Sequence, residues 1–287
     1  MEKRKRLPDW IKKKMYYDAS FIHTERIIHD TGVQTICTDA KCPNRGECWS
    51  RGTATVLILG NICTRNCPFC AVGHGIPEPI DPTEPERVAE MVKQIGTTYL
   101  VITSVDRDDL QDGGASQFRA VIAACRKIRP SMRFELLVPD FKSSQDSSLQ
   151  ILEEALPFVF SHNVETVPEL YHTARPGGDY HRTLNLLEKA AHRWPTVPIK
   201  TSMMLGLGES DRQVIQTLKD LRSAGCTRIS LGQYLKRAKD ALDVVDFITP
   251  EKFTWWAEQA EDLGFRWVMA SPFTRSSYHA DAPEITS

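Results

Sequence analysis

Ala54-Thr-Val-Leu-Ile-Leu-Gly60 runs directly into Asn61-Ile62-Cys63-Thr-Arg-Asn-Cys67-Pro-Phe-Cys70. A short apolar run that closes on glycine reads as a strand covered on both faces, as in a parallel sheet. The loop behind it carries three thiols in the spacing C-x3-C-x2-C. In parallel α/β folds, chemistry collects beyond the carboxyl ends of the strands. A reactive loop in this position therefore predicts such a fold.

Outward from this stretch the same rhythm recurs. Apolar, β-rich runs lie at Tyr99–Val105, Arg133–Asp140, Phe158–Glu165, Ile199–Leu207 and Arg228–Leu235. Between them Val88, Met91, Val92 and Ile95, then Phe118, Val121, Ile122, Cys125 and Ile128, follow the helical i, i+3, i+4, i+7 rule. Val214, Leu218 and Leu221 mark a further helix that Gly225 ends. Strands alternating with helices imply parallel pairing through right-handed crossovers. The expected architecture is α/β, a partial (β/α)6 TIM-like barrel over residues 54–264. Extensions at 1–53 and 265–287 are expected over the barrel mouth. A last unit, the helix Pro250–Leu263 and the run Phe265–Ala270, is expected to pack beside the barrel. Polar clusters fall at the strand ends: Asp106-Arg-Asp-Asp109, Asp112-Gly113-Gly114, Ser161-His162-Asn163 with Glu165, Gly206 with Gly208, and Gln233.

The chain has 287 residues, 41% apolar and 25% charged, with a net charge of -1. That is ample for one barrel and gives no global argument for nucleic acid or membrane. No apolar run approaches the ~20 residues of a membrane helix. The basic start, Met1 to Lys14, leads into no signal-peptide core. It reads as a solvated end or as a docking arm for an acidic protein. These features predict a reducing, cytoplasmic setting, where structural disulfides are rare. Yet six of the eight cysteines fall between Cys37 and Cys70, and such crowding points to metal.

Cys63, Cys67 and Cys70 supply three thiolates from one loop. Most electron-transfer clusters take four. Three leave one iron of a cubane open to a ligand, as at catalytic metals generally. A structural zinc site, the competing reading, needs a fourth ligand. The second set, Cys37, Cys42 and Cys48, has the spacing C-x4-C-x5-C and again three thiols. It points to a second cluster. Cys125 on a helix and Cys226 before a strand read as small core residues.

C-x3-C-x2-C after a barrel's first strand resembles the radical S-adenosylmethionine (radical SAM) superfamily. Together with C-x4-C-x5-C, Val101–Leu110, Asp112–Ala115, Leu137–Phe141, His162–Thr166, Met204–Glu209 and Arg275–Ala280, it resembles the lipoyl synthase family in particular. The resemblance implies a radical SAM type of barrel and two 4Fe–4S clusters. The Cys63/Cys67/Cys70 cluster would chelate S-adenosylmethionine and release a 5′-deoxyadenosyl radical. Cys37, Cys42, Cys48 and Ser277, the second serine of Arg-Ser-Ser-Tyr, would hold an auxiliary cluster. That cluster would give up sulfur to C6 and C8 of a protein-bound octanoyl-lysine and be consumed. Acid–base chemistry cannot activate those carbons, whereas a radical can. Phe69 would lie near the adenine, with Gly113, Gly114, Asn163, Glu165 and Arg175 as further cofactor contacts.

The implied partners are octanoylated lipoyl domains of 2-oxoacid dehydrogenases or the glycine cleavage H protein. A reduced ferredoxin or flavodoxin and an iron–sulfur cluster carrier complete the set. The sequence departs from the family at Arg237, Ala241 and Asp243, where a proline, a histidine and a second proline are usual. Alternative readings are another radical SAM sulfur-inserting enzyme, a non-catalytic iron–sulfur carrier and a zinc-binding interaction module.

Overall fold

The computed structural model describes residues 7–12, 16–237 and 239–282. Most of the basic start therefore lies outside the described residues. The fold is built on a seven-stranded sheet with every pairing parallel. Its strands are β1 (Thr55–Ile58), β2 (Tyr99–Ser104), β3 (Arg133–Leu137), β4 (Val159–Ser161), β5 (Ile199–Leu205), β6 (Arg228–Gln233) and β7 (Trp267–Ser271), paired in chain order. Each strand is thus hydrogen-bonded to the next in sequence, with the helices as crossovers, and the edges β1 and β7 are not joined. This is the open barrel of the sequence reading, continued by one strand. The last run pairs with β6 from Arg228↔Trp267 to Gly232↔Ser271, instead of packing beside the sheet.

Among the described residues three α-helices precede β1: α1 (Ala19–Thr31), α2 (Ile36–Asp39) and α3 (Arg45–Ser50). The crossovers are α4 (Glu84–Ile95), α5 (Ala115–Ile128), α6 (Gln145–Glu153), the short α7 (Tyr171–Ala174) with α8 (Tyr180–Arg193), α9 (Asp211–Ser223) and α10 (Pro250–Asp262). Their apolar stripes pack on the outer face of the strands. Val88, Met91 and Val92 of α4, Phe118, Val121 and Ile122 of α5, and Val214, Leu218 and Leu221 of α9 are all buried in one continuous core. Ile128 is the exception among the expected core positions and is exposed. Cys125 and Cys226 are fully buried in that core, and burial pushes both thiols up to about 12. Helix α9 stops where Gly225, at φ +88°, donates to the Arg222 carbonyl and Cys226 donates to that of Leu221. This is a Schellman stop, which glycine makes without a Cβ penalty.

The two extensions meet across the open side of the sheet. Thr35 bridges antiparallel to Val56 on the edge strand β1. The tail after β7 returns over α3. Asn44 Nδ2 donates to the Phe273 carbonyl at 2.7 Å, and Tyr278 Oη donates to Glu47 Oε1 at 2.8 Å. His279 Nε2 lies 3.3 Å from Glu47 Oε1. Residues 229 and 231 positions apart are thereby clamped together, joining one edge of the barrel to the other.

Candidate functional site

The cysteine loop begins at a forced turn. Leu59 and Gly60 both take positive φ, +68° and +85°. Leucine is costly there, and buried polar groups hold it in place. The Leu59 N–H donates to both oxygens of Glu84 at 3.1 Å, and its carbonyl accepts from Arg107 Nη1 at 3.3 Å. Behind the turn, Ile62–Cys63 pairs with Gly73–His74, so the loop returns on itself around the three thiols. Thr64 ties it to the end of β2, its N–H and Oγ1 both donating to the Asp106 carbonyl.

Arg65, inside the cysteine motif, is the main anchor and was not singled out in the sequence. It is buried. Its Nε and Nη2 donate to Asp108 at 2.9 and 2.7 Å, its Nη1 and Nη2 to Asp140 at 3.0 and 2.7 Å, and Asp106 lies 3.3 Å away. One guanidinium thus fastens the loop to the carboxyl ends of β2 and β3. Its hydrogen bonds to Asp108 and Asp140 hold its proton more firmly, against burial, which works the other way. Asp140 stays well below the usual carboxylate range because Arg65 outweighs its desolvation. The signal available in the sequence was an arginine between cysteines facing an Asp-rich strand end.

Around this loop stand the polar residues of the next strand ends. Asn163 Nδ2 donates to Glu165 Oε1 at 3.1 Å, and Arg175 Nη1 donates to the Asn163 carbonyl at 3.0 Å. Glu165 takes φ +69° and is raised above its ordinary value by burial. Burial pushes Cys67 up to about 12, against the attraction of Arg175, with Asp106, Cys70 and Glu165 also within electrostatic reach. Burial likewise raises Cys63, and Cys70 to about 11. The structure therefore brings Cys63, Cys67 and Cys70 together with Asn163, Glu165 and Arg175. Phe69 packs against Ala174, Leu207 and Tyr234 on the same side. The segment beyond β6 closes over it, where the Leu242 N–H donates to the Pro68 carbonyl at 3.2 Å.

Gly113 and Gly114 have a different setting. At φ +56° and +93° they turn the chain into α5. A Cβ on Gly114 would stand 2.2 Å from Leu59 Cδ1, and one on Gly113 would stand 2.9 Å from Phe141 Cδ1. Their N–H groups are taken by the Asp112 side chain and the Leu110 carbonyl. Close packing and the turn both favour glycine at these positions.

The second set lines a separate cavity. Cys37, Cys42 and Cys48 share its wall with Ser277, Arg275, Thr55, Tyr99 and Val101. The tail clamp delivers Ser277, 229 residues beyond Cys48, to the three thiols. Burial pushes Cys37 up to about 11, with Cys42 next to it adding to the rise. From Val101 to Asp106 is five residues of β2 and its end, roughly 15 Å at the rise of a strand. The two thiol sets thus lie at two heights along one barrel wall.

The donor chemistry suits iron–sulfur clusters. All six cysteines are free thiols, and deprotonation by metal is how a raised thiol becomes a ligand. Among the described residues no three His, Cys, Asp or Glu side chains converge on the position of a single ion. Thiolates at separate corners of a cluster converge less. Asn163 Oδ1 is buried without a hydrogen-bond partner among the described residues, and Asp106 Oδ1, buried too, has the Arg65 guanidinium 3.3 Å away but no hydrogen bond of good geometry. Unpaired buried acceptors are costly, and the amino end of an amino-acid ligand would satisfy them.

Comparison with known proteins agrees with this geometry. Residues 57–221 match the family model "Radical SAM superfamily". The lipoyl synthase of Thiobacillus denitrificans is 47% identical over 98% of this chain and 90% of its own length. That of Methylococcus capsulatus is 48% identical over 96% of this chain and 86% of its own. Among solved structures, Streptococcus suis SuiB bound to its precursor peptide SuiA superposes with a TM-score of 0.57 at 12% identity. It covers 75% of this chain and 48% of that one, a likeness of fold over about half of the larger protein. With close to half of its residues shared along almost its entire length, the chain belongs to the lipoyl synthase family of the radical SAM superfamily.

Proposed function

We propose that the two thiol sets divide the work of lipoyl synthesis between them. The family reaction replaces unactivated C–H bonds at C6 and C8 of a protein-bound octanoyl-lysine with C–S bonds, using S-adenosylmethionine and 4Fe–4S clusters. In our reading Cys63, Cys67 and Cys70 hold the cluster that binds S-adenosylmethionine, and Cys37, Cys42, Cys48 and Ser277 hold the auxiliary one. When bound, these groups supply a carbon-centred radical at one end of the chamber and sulfide at the other.

The protein's part is to hold and to exclude. Arg65 fixes the cysteine loop against β2 and β3. Asn163, Glu165 and Arg175 receive the amino-acid end of S-adenosylmethionine, and Phe69 flanks the nucleoside. Tyr99 and Val101, which line the auxiliary cavity, face the acyl chain in our reading. Ser277 gives the auxiliary cluster a harder oxygen ligand than the three thiolates, hence a corner that opens more readily. Positioning of this kind contributes up to about 10 kcal/mol in favourable intramolecular reactions.

The observation that carries this reading is the shared cavity of Cys37, Cys42, Cys48 and Ser277, on the same barrel wall as the Cys63 loop. Octanoylated lipoyl domains of 2-oxoacid dehydrogenases or the glycine cleavage H protein are the substrates in our reading. A reduced ferredoxin or flavodoxin is the electron donor, and a cluster carrier restores the auxiliary site. We place the reaction in the cytoplasm. No helix among the described residues is long and apolar enough to cross a membrane.

The test is an anaerobic incubation of reconstituted protein with S-adenosylmethionine, dithionite and an octanoyl-lysine peptide. The expected product carries two added sulfurs by mass. Cofactor cleavage with an unchanged peptide would overturn the assignment.

A further inference from the structure

Gln233, the last residue of β6, is buried, and its side-chain amide is bound entirely to backbone. Its Nε2 faces three carbonyls, Leu205 at 3.1 Å, Tyr234 at 3.0 Å and Asp246 at 2.9 Å. Its Oε1 accepts from the Ile248 N–H at 2.8 Å. One amide therefore joins the ends of β5 and β6 to residues 239–248, which form neither helix nor strand. Gly206, at φ +100°, lets that segment approach. A Cβ there would stand 2.3 Å from Gln233 Nε2 and 2.4 Å from the Asp246 oxygen. The Gly206 carbonyl accepts from the Val245 N–H at 2.9 Å.

The same segment reaches the cysteine loop. The Leu242 N–H donates to the Pro68 carbonyl at 3.2 Å, and the Leu242 carbonyl accepts from Tyr234 Oη at 2.8 Å. Leu242 and Val244 pack with Phe69 against Leu207 and Tyr234. A strap with no ladder of its own thus hangs from side chains of β6 and its end, and its middle touches the two residues between Cys67 and Cys70. Such a segment belongs to the less stable parts of a fold, so its order depends on these few bonds. A neutral carboxamide both donates and accepts. Without it, buried carbonyls and the Ile248 N–H would lose their partner, and stranded polar groups cost more than a bond returns.

We infer that Gln233 is a positioning residue for S-adenosylmethionine, a latch that holds residues 239–248 against the Pro68-Phe69 side of the cysteine loop. The inference rests on the reading that Cys63, Cys67 and Cys70 hold the cluster that binds S-adenosylmethionine, with Phe69 beside the nucleoside. Gln233 acts through Leu242 and Phe69. A strap already fixed leaves less to be ordered when the cofactor arrives. The latch therefore bears on affinity more than on the chemical step.

The test compares the reconstituted full chain with its Q233M and Y234F variants. Hydrogen exchange of the peptide spanning 239–248 is followed by mass spectrometry. Affinity for S-adenosylmethionine is measured by anaerobic equilibrium dialysis without reductant, so that none is cleaved. Q233M keeps the length of the side chain and loses every latch bond. Its exchange should speed up, and its Kd should rise about tenfold, as the loss of one buried hydrogen bond implies. With dithionite present, KM should rise alike while kcat falls less. Y234F, which loses only the bond to Leu242, should move both readouts the same way by a smaller factor. K236A, which loses only the surface bond to Asp243, should bind as the parent does. Parent-like affinity in Q233M, or in Y234F should Q233M not fold, would overturn the inference whatever the exchange shows. An equal loss in K236A would overturn it too. A parent that holds iron yet retains no S-adenosylmethionine would instead overturn the reading of the cysteine loop.

Discussion

Arg65 grips Asp140 with two parallel hydrogen bonds, Nη1 to Oδ2 at 3.0 Å and Nη2 to Oδ1 at 2.7 Å, and Asp140 has no exposed surface. The same Asp140 Oδ2 accepts from Arg182 Nε at 2.9 Å, so the grip extends to α8. Lysine keeps the charge but not the fork. Arg65→Lys should cost about 1–3 kcal/mol of stability, as for other disrupted charge-assisted bonds. It should also lower S-adenosylmethionine cleavage at least tenfold, because the cysteine loop loses its anchor. Urea unfolding of the apo-protein and a cleavage assay check both. Wild-type cleavage would show that the loop holds its shape without the fork.

Ser277 reaches the thiols only because the tail is clamped to α3 through Asn44, Glu47 and Tyr278. Ser277→Ala removes the proposed oxygen ligand and leaves the radical site untouched. S-adenosylmethionine cleavage should persist while doubly thiolated product falls at least tenfold. Tyr278→Phe, which loses the 2.8 Å bond to Glu47, should show a weaker form of the same split. Product formation at the wild-type rate in Ser277→Ala would remove serine from the ligand set.

The barrel was legible in the sequence because a parallel strand is an apolar run and its crossover helix an apolar stripe. The strand ends were less so. The runs ending at Asp140, Glu165 and Leu207 overreach β3, β4 and β5, which stop at Leu137, Ser161 and Leu205. There the backbone leaves the ladder to form the site, as at Glu165 with φ +69° and Gly206 with φ +100°. The thiol sets could be read from spacing, since each lies within a dozen residues. Ser277 could not be, and only family resemblance picked it out. Arg65 was overlooked because its partners Asp108 and Asp140 are 43 and 75 positions away. The glycines at 113 and 114 read in the sequence as cofactor contacts, and the close approach of Leu59 and Phe141 beside them could not be read there.

His162 gives the fold a pH limit. It is buried, with Nδ1 at 2.8 Å from the Val138 carbonyl and Nε2 at 3.2 Å from Thr183 Oγ1. A carbonyl only accepts, so Nδ1 carries the proton and Nε2 accepts from the threonine. Burial, aided by Arg175 and Arg65 and opposed by Asp140, brings its pKa from 6.5 down to about 3. An unfolded chain takes up a proton below about 6.5 that the folded one refuses until about 3. The stability from neutral His162 is therefore complete above 6.5 and lost as pH falls, by about 1.4 kcal/mol per unit. Asp140 acts only below its ordinary 3.8, so it does not enter the range measured here. Urea unfolding of the apo-protein between about pH 7 and pH 4.5 should show this slope, and His162→Gln should flatten it. A slope unchanged in the variant would assign the effect to other groups.

Lys200 and Glu135 form an ion pair in the barrel interior. Lys200 Nζ donates to both Glu135 oxygens at 3.0 Å and sits 4.6 Å from the centre of the Trp267 ring. Tyr99 Oη, which also borders the auxiliary cavity, donates to Glu135 Oε2 at 3.3 Å. Desolvation lowers the lysine, Glu135 opposes that shift, and both side chains are closed to solvent. Taking two charges out of water costs as much as their attraction returns, so the pair adds little net stability, whereas losing one member strands the other. Lys200→Met should therefore cost about 3–5 kcal/mol. The double variant Lys200→Met, Glu135→Gln should regain most of that loss. Equilibrium urea unfolding of the single and double variants measures the difference. If Lys200→Met lost less than about 1 kcal/mol, the stranded-charge account of this pair would be wrong.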